Sequence, residues 1–278
     1  MHPVVNHIIQ LQELTLVKDE QKVAGGVAHL NQLNESISLM TAKLPRDVRV
    51  IFEKLHKRDH NVIVPVSEGN CSVCGMKLPS SLMQLVRLGE SIQYCPNCSR
   101  ILYEPASHPK NVKTQRKRSD PHKPGVSRFS SEELMILDLE ATDKDSAIAE
   151  LSAKMEEEGF VDNGDKLMEE ALRREAVCST AVDHGLAFPH VRAVEGGGLT
   201  LALGLSKKGI QFDGVKGENT HIIFFLLIPV AASSFYLKLL AGLTETFMKD
   251  DAREALLSAE TQKKLWKAFL KVTKKNIK

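Results

Sequence analysis

Four of the five cysteines in this 278-residue sequence come as two pairs, Cys71-x2-Cys74 and Cys95-x2-Cys98, with twenty residues between them. Four thiolates at that spacing can hold a zinc ion tetrahedrally. Each CxxC turn presents two sulfurs while backbone amides hydrogen-bond to them. Gly75 after the first pair and Pro96 inside the second suit tight turns. The four-thiolate sphere is closed, so the expected ion is structural, one zinc per chain, and not catalytic. Four reduced core cysteines would not account for the paired spacing, and a redox dithiol ordinarily comes as a single CxxC. Cys178 stands apart and reads as a small buried residue rather than a reactive thiol.

The second feature with chemical potential is His190, in Gly185-Leu186-Ala187-Phe188-Pro189-His190. A histidine on a loop beside a rigid proline can hold its imidazole exposed and oriented. It can then serve as nucleophile, base or metal ligand. Alone, a Pro-His pair is weak evidence for any of these.

The elements that must position these residues follow from composition and periodicity. Hydrophobic residues make up 42% of the chain, enough for a packed core and incompatible with wholesale disorder. The net charge of +2 hides three blocks. Residues 1–104 carry 11 basic and 10 acidic groups, residues 105–130 carry seven basic groups and Asp120, and residues 131–278 carry 19 basic and 24 acidic groups. The N-terminus has no basic region followed by a small-residue cleavage site. The longest apolar run, Ile222–Ala232, is about half of a bilayer span and contains Pro229, so it reads as a buried strand. With an odd cysteine count, these features point to a cytoplasmic protein with no membrane span and no disulfide framework.

Apolar residues Ile9, Leu16, Val23, Leu30, Ile37 and Leu44 fall seven apart and predict a long helix, ended by Pro45. A second helix runs to about His60 with Val48, Ile51, Phe52 and Leu55 on one face. Residues 1–61 therefore read as a helical, coiled-coil-like hairpin with unequal arms. Two readings stay open: a simple amphipathic pair packed on the rest of the chain, or homo-oligomerisation through the long arm. Gly25-Gly26 weakens both, at about 1 kcal/mol per glycine within a helix. Residues 62–104 form a small β module around the cysteines. Residues 105–130, with four prolines and the concentrated positive charge, read as a flexible basic linker.

From residue 131 to 278 helices and strands alternate. Helices are expected over Ser146–Glu157, 165–175 and, at the end, 233–248, 250–257 and 260–274; strands over Leu199–Leu205 and Ile222–Ile228. Ser131 followed by two acids resembles a helix start, although Met135–Ala141 suits a first strand equally well. The fold class is multidomain. An α-helical hairpin and a β zinc ribbon precede an α/β domain with a mixed sheet flanked by helices.

The stretch 71–105, with Cys95-Pro96-Asn97-Cys98-Ser99-Arg100-Ile101-Leu102-Tyr103 as its most specific part, resembles the C4-type zinc-ribbon family with an N-terminal coiled coil. The family is regarded as a nucleic-acid- or protein-binding module. Here Lys77, Arg87 and Arg100 could meet phosphates, and Tyr94 and Tyr103 could stack on bases. The linker could grip nucleic acid or the acidic domain by charge.

The segment Arg174-Glu175, Cys178-Ser179-Thr180 and Gly185–His190, with Gly209–Asp213 and Ile222–Pro229 downstream, resembles the enzyme IIA domain of the phosphoenolpyruvate-dependent sugar phosphotransferase system. It matches the fructose/mannitol type, which includes the nitrogen-regulatory branch. The resemblance covers residues 131–278. It implies a phosphocarrier in which His190 accepts a phosphoryl group on Nε2 from an HPr-like carrier. The group then passes to a IIB domain or a regulatory target. Arg174 becomes the phosphate-pairing cation and Thr180 a hydroxyl that hydrogen-bonds at the site. The family's second histidine aligns with Tyr236, which can donate a hydrogen bond to phosphate but carries no positive charge. His184 and Arg192 are further cationic candidates. The alternative is a IIA-like domain that has lost transfer, within a zinc-ribbon regulator that binds nucleic acid or protein.

Overall fold

The computed structural model describes residues 2–24, 30–104, 124–194, 198–212, 218–229 and 232–277. Two compact units divide the chain, Met1–Ser107 and His108–Lys278. No helix among the described residues is long and apolar enough to cross a membrane.

The first unit opens with α1 (Pro3–Ala24), α2 (Leu30–Ala42) and α3 (Arg46–Arg58). The single long arm expected from the heptads is thus two helices. Imidazole Nε2 of His7 lies 2.8 Å from the carbonyl of Met40, so α2 runs back along α1. The segment holding Gly25-Gly26, two poor helix formers in succession, falls between them and outside the described residues. Folding back changes which face is buried. Val5, Ile8, Leu11, Leu16 and Val17 are buried along α1, whereas Ile9 is only partly covered. Val48, Phe52 and Leu55 of α3 are buried as expected and share one core with Val62, Ile63 and Ile101 of the β module.

That module contains β1 (Ile63–Ser67), β2 (Asn70–Cys71), α4 (Ser80–Leu88), β3 (Gln93–Tyr94) and β4 (Ile101–Tyr103), with sheet order β2-β1-β4-β3. β1 pairs parallel with β4, and each outer strand pairs antiparallel with its neighbour. Gln12 of α1 joins helix to sheet. Its Oε1 accepts the amides of Val62 (2.6 Å) and Ile63 (2.9 Å), and its Nε2 donates to the Ile63 carbonyl (3.0 Å). In the fold Gln12 satisfies backbone groups that would otherwise be buried without partners.

In the second unit, residues 124–130 are packed, although composition had assigned them to the linker. Gly125–Arg128 forms a 3-10 turn, Val126 and Phe129 are buried, and the Phe129 carbonyl accepts the Leu201 amide at 2.8 Å. Burial of these two side chains, with the Ser130 hydroxyl donating to the Leu201 carbonyl at 2.8 Å, holds this end of the basic segment on the domain. The rest of the expected linker, residues 105–123, lies outside the described residues. Then follow β5 (Met135–Ile136), α5 (Lys144–Glu157), α6 (Gly164–Glu175), β6 (Ala181–Val182), β7 (Leu186–Ala187), β8 (His190–Val194), β9 (Thr200–Ile210), β10 (Thr220–Pro229), α7 (Ser233–Phe247), α8 (Asp250–Leu257) and α9 (Gln262–Thr273). Met135-Ile136 is therefore strand, preceded by a short 3-10 turn at Glu132–Leu134. Asp143 with Ser146 makes a capping box for α5, and Asn163 and Thr261 cap α6 and α9.

The sheet order is β5-β9-β10-β7-β6, with β8 also on β10. β10 pairs antiparallel with β9 and parallel with β7 and β8, so the sheet is mixed. Residues 222–228 of β10 are all buried, as a central strand covered on both faces requires. β7 and β8 lie along successive stretches of β10. Ala187 is opposite Ile223, and His190 is opposite Leu226. Phe188-Pro189 interrupts this line. Proline has no amide proton for a ladder, but its carbonyl still accepts the Leu226 amide at 3.0 Å. His190 thus opens β8 at a break in an otherwise rigid sheet.

Candidate functional site

Three elements converge on His190. The C-terminal turn of α6 brings Arg174, the interrupted β7–β8 line brings Phe188 and His190, and the first turn of α7 brings Tyr236. Arg174 Nε donates to His190 Nε2 at 3.2 Å, and its Nη1 donates to the Cys178 carbonyl at 2.9 Å. On the other side of the ring, Nδ1 lies 3.0 Å from the Phe188 carbonyl and 3.2 Å from the Tyr236 hydroxyl. A carbonyl only accepts, and a guanidinium only donates. Together they require the proton on Nδ1 and a lone pair on Nε2.

The imidazole was expected to stand exposed, but His190 is only 1% exposed. The Tyr236 ring covers it at a centroid distance of 5.1 Å, and Tyr236 is itself fully buried. The Arg192 guanidinium lies over the other partner of that pair, 4.9 Å from the centroid of the Tyr236 ring. Arg192 follows His190 by two residues on β8, the spacing that puts side chains on one face of a strand. His184, with φ of 70°, is exposed on the turn between β6 and β7. Cys178 is half-buried and not in a disulfide, and its carbonyl anchors Arg174.

Two of the named residues stand differently from the expectation. The Tyr236 hydroxyl faces Nδ1, not the nitrogen beside Arg174. The Thr180 hydroxyl gives its one proton to Glu175 Oε2 at 2.8 Å, so Thr180 has none to offer to an anion there. Glu175 is the residue that motif reading passed over. It appeared only as the neighbour of Arg174, and its burial could not be read from a helix end rich in charge.

The second cluster is the cysteine quartet. The four sulfurs lie within 4.8 Å of one another, with Cys71 and Cys98 3.7 Å apart and Cys74 and Cys95 3.6 Å apart. A tetrahedron with Zn–S bonds near 2.3 Å has edges of about 3.8 Å, so the quartet fits zinc. Gly75, φ +70°, and Ser99, φ 60°, close the two knuckles in the left-handed region, and their amides donate to the Cys71 and Cys95 carbonyls. Burial pushes the Cys71 thiol up to about 12, against the pull of the Val73 and Cys74 amides. Burial also acts to raise Cys74, but the Met76 amide, the Asn97 side chain and the neighbouring thiols bring it down to about 6. Backbone amides thus support the sulfurs, as CxxC turns require.

Arg100 was read as a cation for phosphates, but it is 8% exposed and turned inward. Its Nε donates to the Asn61 carbonyl at 2.8 Å, its Nη2 bonds Asp59, and the Cys98 sulfur is a further acceptor. It therefore connects the cysteine cluster to the end of α3. Tyr94 and Tyr103, read as stacking platforms, are packed against the helical core, and Arg87 is bonded to Glu104 at 3.0 Å. Lys77 and Arg87 line a groove of about 940 Å³ beside α4.

Comparison with known proteins supplies the context. Residues 128–272 match the family described as the phosphoenolpyruvate-dependent sugar phosphotransferase system, EIIA 2, and residues 70–102 match the C4-type zinc ribbon domain. The PTS system fructose-specific EIIA component of Haloferax volcanii is 31% identical over 137 residues, 49% of this chain and 89% of that protein. The fructose-specific EIIABC component of Bacillus subtilis is 25% identical over 137 residues, but these are 22% of that larger protein. Among solved structures, the nitrogen regulatory protein IIA-Ntr of Neisseria meningitidis aligns with a TM-score of 0.48 and 24% identity, over 51% of this chain and 97% of that one.

Proposed function

The chain belongs to the EIIA type 2 family of the phosphoenolpyruvate-dependent sugar phosphotransferase system, and from that premise we propose that His190 accepts and passes on a phosphoryl group. The donor is an HPr-like carrier, and the acceptor is a IIB domain or a regulatory target protein. The observation that carries this reading is the clamped imidazole, with Nδ1 on an obligate acceptor and Nε2 toward a cation.

In the forward step the lone pair of Nε2 forms a bond to phosphorus as the donor's N–P bond breaks. The electron pair of that bond returns to the donor. No proton need leave His190, because Nδ1 already holds it. Positive charge grows on the ring, and the Phe188 carbonyl dipole faces it. Negative charge arrives with the phosphoryl oxygens, and the Arg174 guanidinium is in place to turn from imidazole to phosphate. Positioning and charge neutralisation are most of what such a transfer asks of a protein. Tyr236 packs on the ring and shares Nδ1. With His190 1% exposed and Arg174 seated on Nε2, the guanidinium must give way for a donor to reach that nitrogen.

The cysteine quartet would hold one structural zinc per chain. The four sulfurs would hold the ion between the two knuckles, and Arg100 ties the ribbon to the end of α3. We read the whole as a regulatory phosphocarrier, because a zinc ribbon and helical hairpin are joined to the carrier domain. Phosphorylation would add a charge of about −2 to a domain already rich in acids.

The test is incubation with phosphoenolpyruvate, enzyme I and HPr, followed by assay for acid-labile phosphate. Label on the wild type and none on His190→Ala is the expected result. An unlabelled wild type, under conditions that label a standard EIIA domain, overturns the carrier reading and leaves a binding role for the chain. Label that survives His190→Ala overturns the site.

A further inference from the structure

Glu175 closes α6 next to Arg174 and is 3% exposed. A carboxylate so placed is costly unless donors surround it. Here Oε1 accepts the Thr180 amide at 2.6 Å and the Ser179 hydroxyl at 3.0 Å, and Oε2 accepts the Thr180 hydroxyl at 2.8 Å. Both oxygens are thus spent on holding the turn that leads into β6.

The consequence lies one rung further on. The Thr180 carbonyl accepts the Phe188 amide at 3.2 Å, extending the antiparallel pairing of β6 with β7, in which Ala181 faces Ala187. The Phe188 carbonyl in turn accepts from His190 Nδ1 at 3.0 Å. Glu175 therefore stands at the root of a continuous set of hydrogen bonds that ends on the imidazole.

We propose that Glu175 is a positioning residue that sets the tautomer of His190: through Thr180 and Phe188 it holds the acceptor that keeps the ring proton on Nδ1 and leaves Nε2 unprotonated. This rests on the phosphocarrier reading for its purpose, though not for its measurement. The chemistry is decided by what shares Nδ1. The Phe188 carbonyl can only accept, so its presence demands Nδ1–H. The Tyr236 hydroxyl, 3.2 Å from the same nitrogen, can accept or donate. If the carbonyl shifts away, the tyrosine can donate to Nδ1 and the proton moves to Nε2, where it blocks the nucleophile. Two consecutive residues then govern the two ring nitrogens. Arg174 acts on Nε2 by contact, and Glu175 acts on Nδ1 through backbone.

Arg174 also demands a lone pair on Nε2, so the comparison that isolates Glu175 uses an Arg174→Met background in the full-length, zinc-loaded chain. The tautomer is read from the 15N shifts and long-range couplings of the His190 ring. Arg174→Met alone is expected to keep Nδ1–H. Adding Glu175→Gln is expected to raise the Nε2–H tautomer about tenfold, the worth of roughly one hydrogen bond. Thr180→Val, which keeps volume and backbone but loses the bond to Oε2, should shift the balance the same way, and Thr180→Ser should restore it. This pair decides the matter if Glu175→Gln does not fold. A folded Glu175→Gln or Thr180→Val protein with the tautomer of its parent overturns the proposal. Failure of the wild type to take phosphate would overturn the carrier reading and leave the tautomer result standing.

Discussion

Arg174 and His190 meet Nε to Nε2 at 3.2 Å, so the guanidinium occupies the lone pair that a phosphoryl group would take. The contact favours the Nδ1–H tautomer and also caps Nε2. Arg174 is tethered at its other end to the Cys178 carbonyl, so it can swing from nitrogen to phosphate oxygens without leaving the site.

Arg174→Met should therefore lower the rate of phosphorylation from HPr by about 10- to 100-fold, the range for a lost charge-assisted hydrogen bond. Arg174→Lys should recover only part of it, since an ammonium cannot make the forked contact. Single-turnover transfer of labelled phosphate measures both. A rate unchanged in Arg174→Met would remove the arginine from the chemistry.

Tyr236→Phe separates two roles for the tyrosine. Its hydroxyl faces Nδ1, and its ring packs on the imidazole at 5.1 Å. The variant keeps the packing, so it should lose about 1 kcal/mol of stability and less than about threefold in transfer rate. A loss as large as that of Arg174→Met would mean that the hydroxyl grips phosphate after all.

Arg100 makes a prediction about the metal module. It bonds Asp59 and the Asn61 carbonyl and faces the Cys98 sulfur, all with 10% of its side chain exposed. Truncating one partner of a buried pair costs about 3 kcal/mol or more. Arg100→Met should thus weaken zinc retention against a chelating dye and lower the melting of the first unit. Cys95→Ser should do both more strongly. The melting of residues 124–277 should stay where it is. Equal metal retention in Arg100→Met and wild type would break the assigned link.

His56 gives the first unit a pH dependence. Burial holds its imidazole below the ordinary 6.5, with His60 and Lys18 acting in the same direction and Asp19 opposing them. The unfolded chain then binds more protons near neutrality than the folded one, so stability rises with pH. The contribution is fully present above 6.5 and is lost as pH falls below it. Thermal melts from about pH 7.5 to about pH 5 should show the first unit weakening, and His56→Gln should flatten the trend. A wild-type profile with no slope in that range would contradict the assignment.

How much of this was legible beforehand depended on the distance over which each feature is encoded. The cysteine quartet was readable because a CxxC turn is local. Four residues of backbone set two sulfurs, and the structure brings both turns together. The helices of the second unit were placed to within about two residues at each end, and β10 was readable from an unbroken apolar run. His190 and Arg174 were found from motif resemblance, and they meet.

What the sequence could not determine was who partners whom across the fold. Arg174 and His190 are 16 residues apart, Tyr236 and His190 46, and Gln12 and Ile63 51. Their contacts depend on strand order and on α2 turning back along α1, neither of which leaves a periodic trace. So the exposed imidazole of the sequence became a buried one. A phosphate-facing arginine became a link between cysteine and helix, and the hydroxyl of Thr180 turned to a glutamate. Residue types and spacing determined which chemistry the chain could do. The resemblance implied Nε2 as the working atom of His190; only the tertiary structure shows why the lone pair sits there, because a tautomer is set by the donors and acceptors that topology places around the ring.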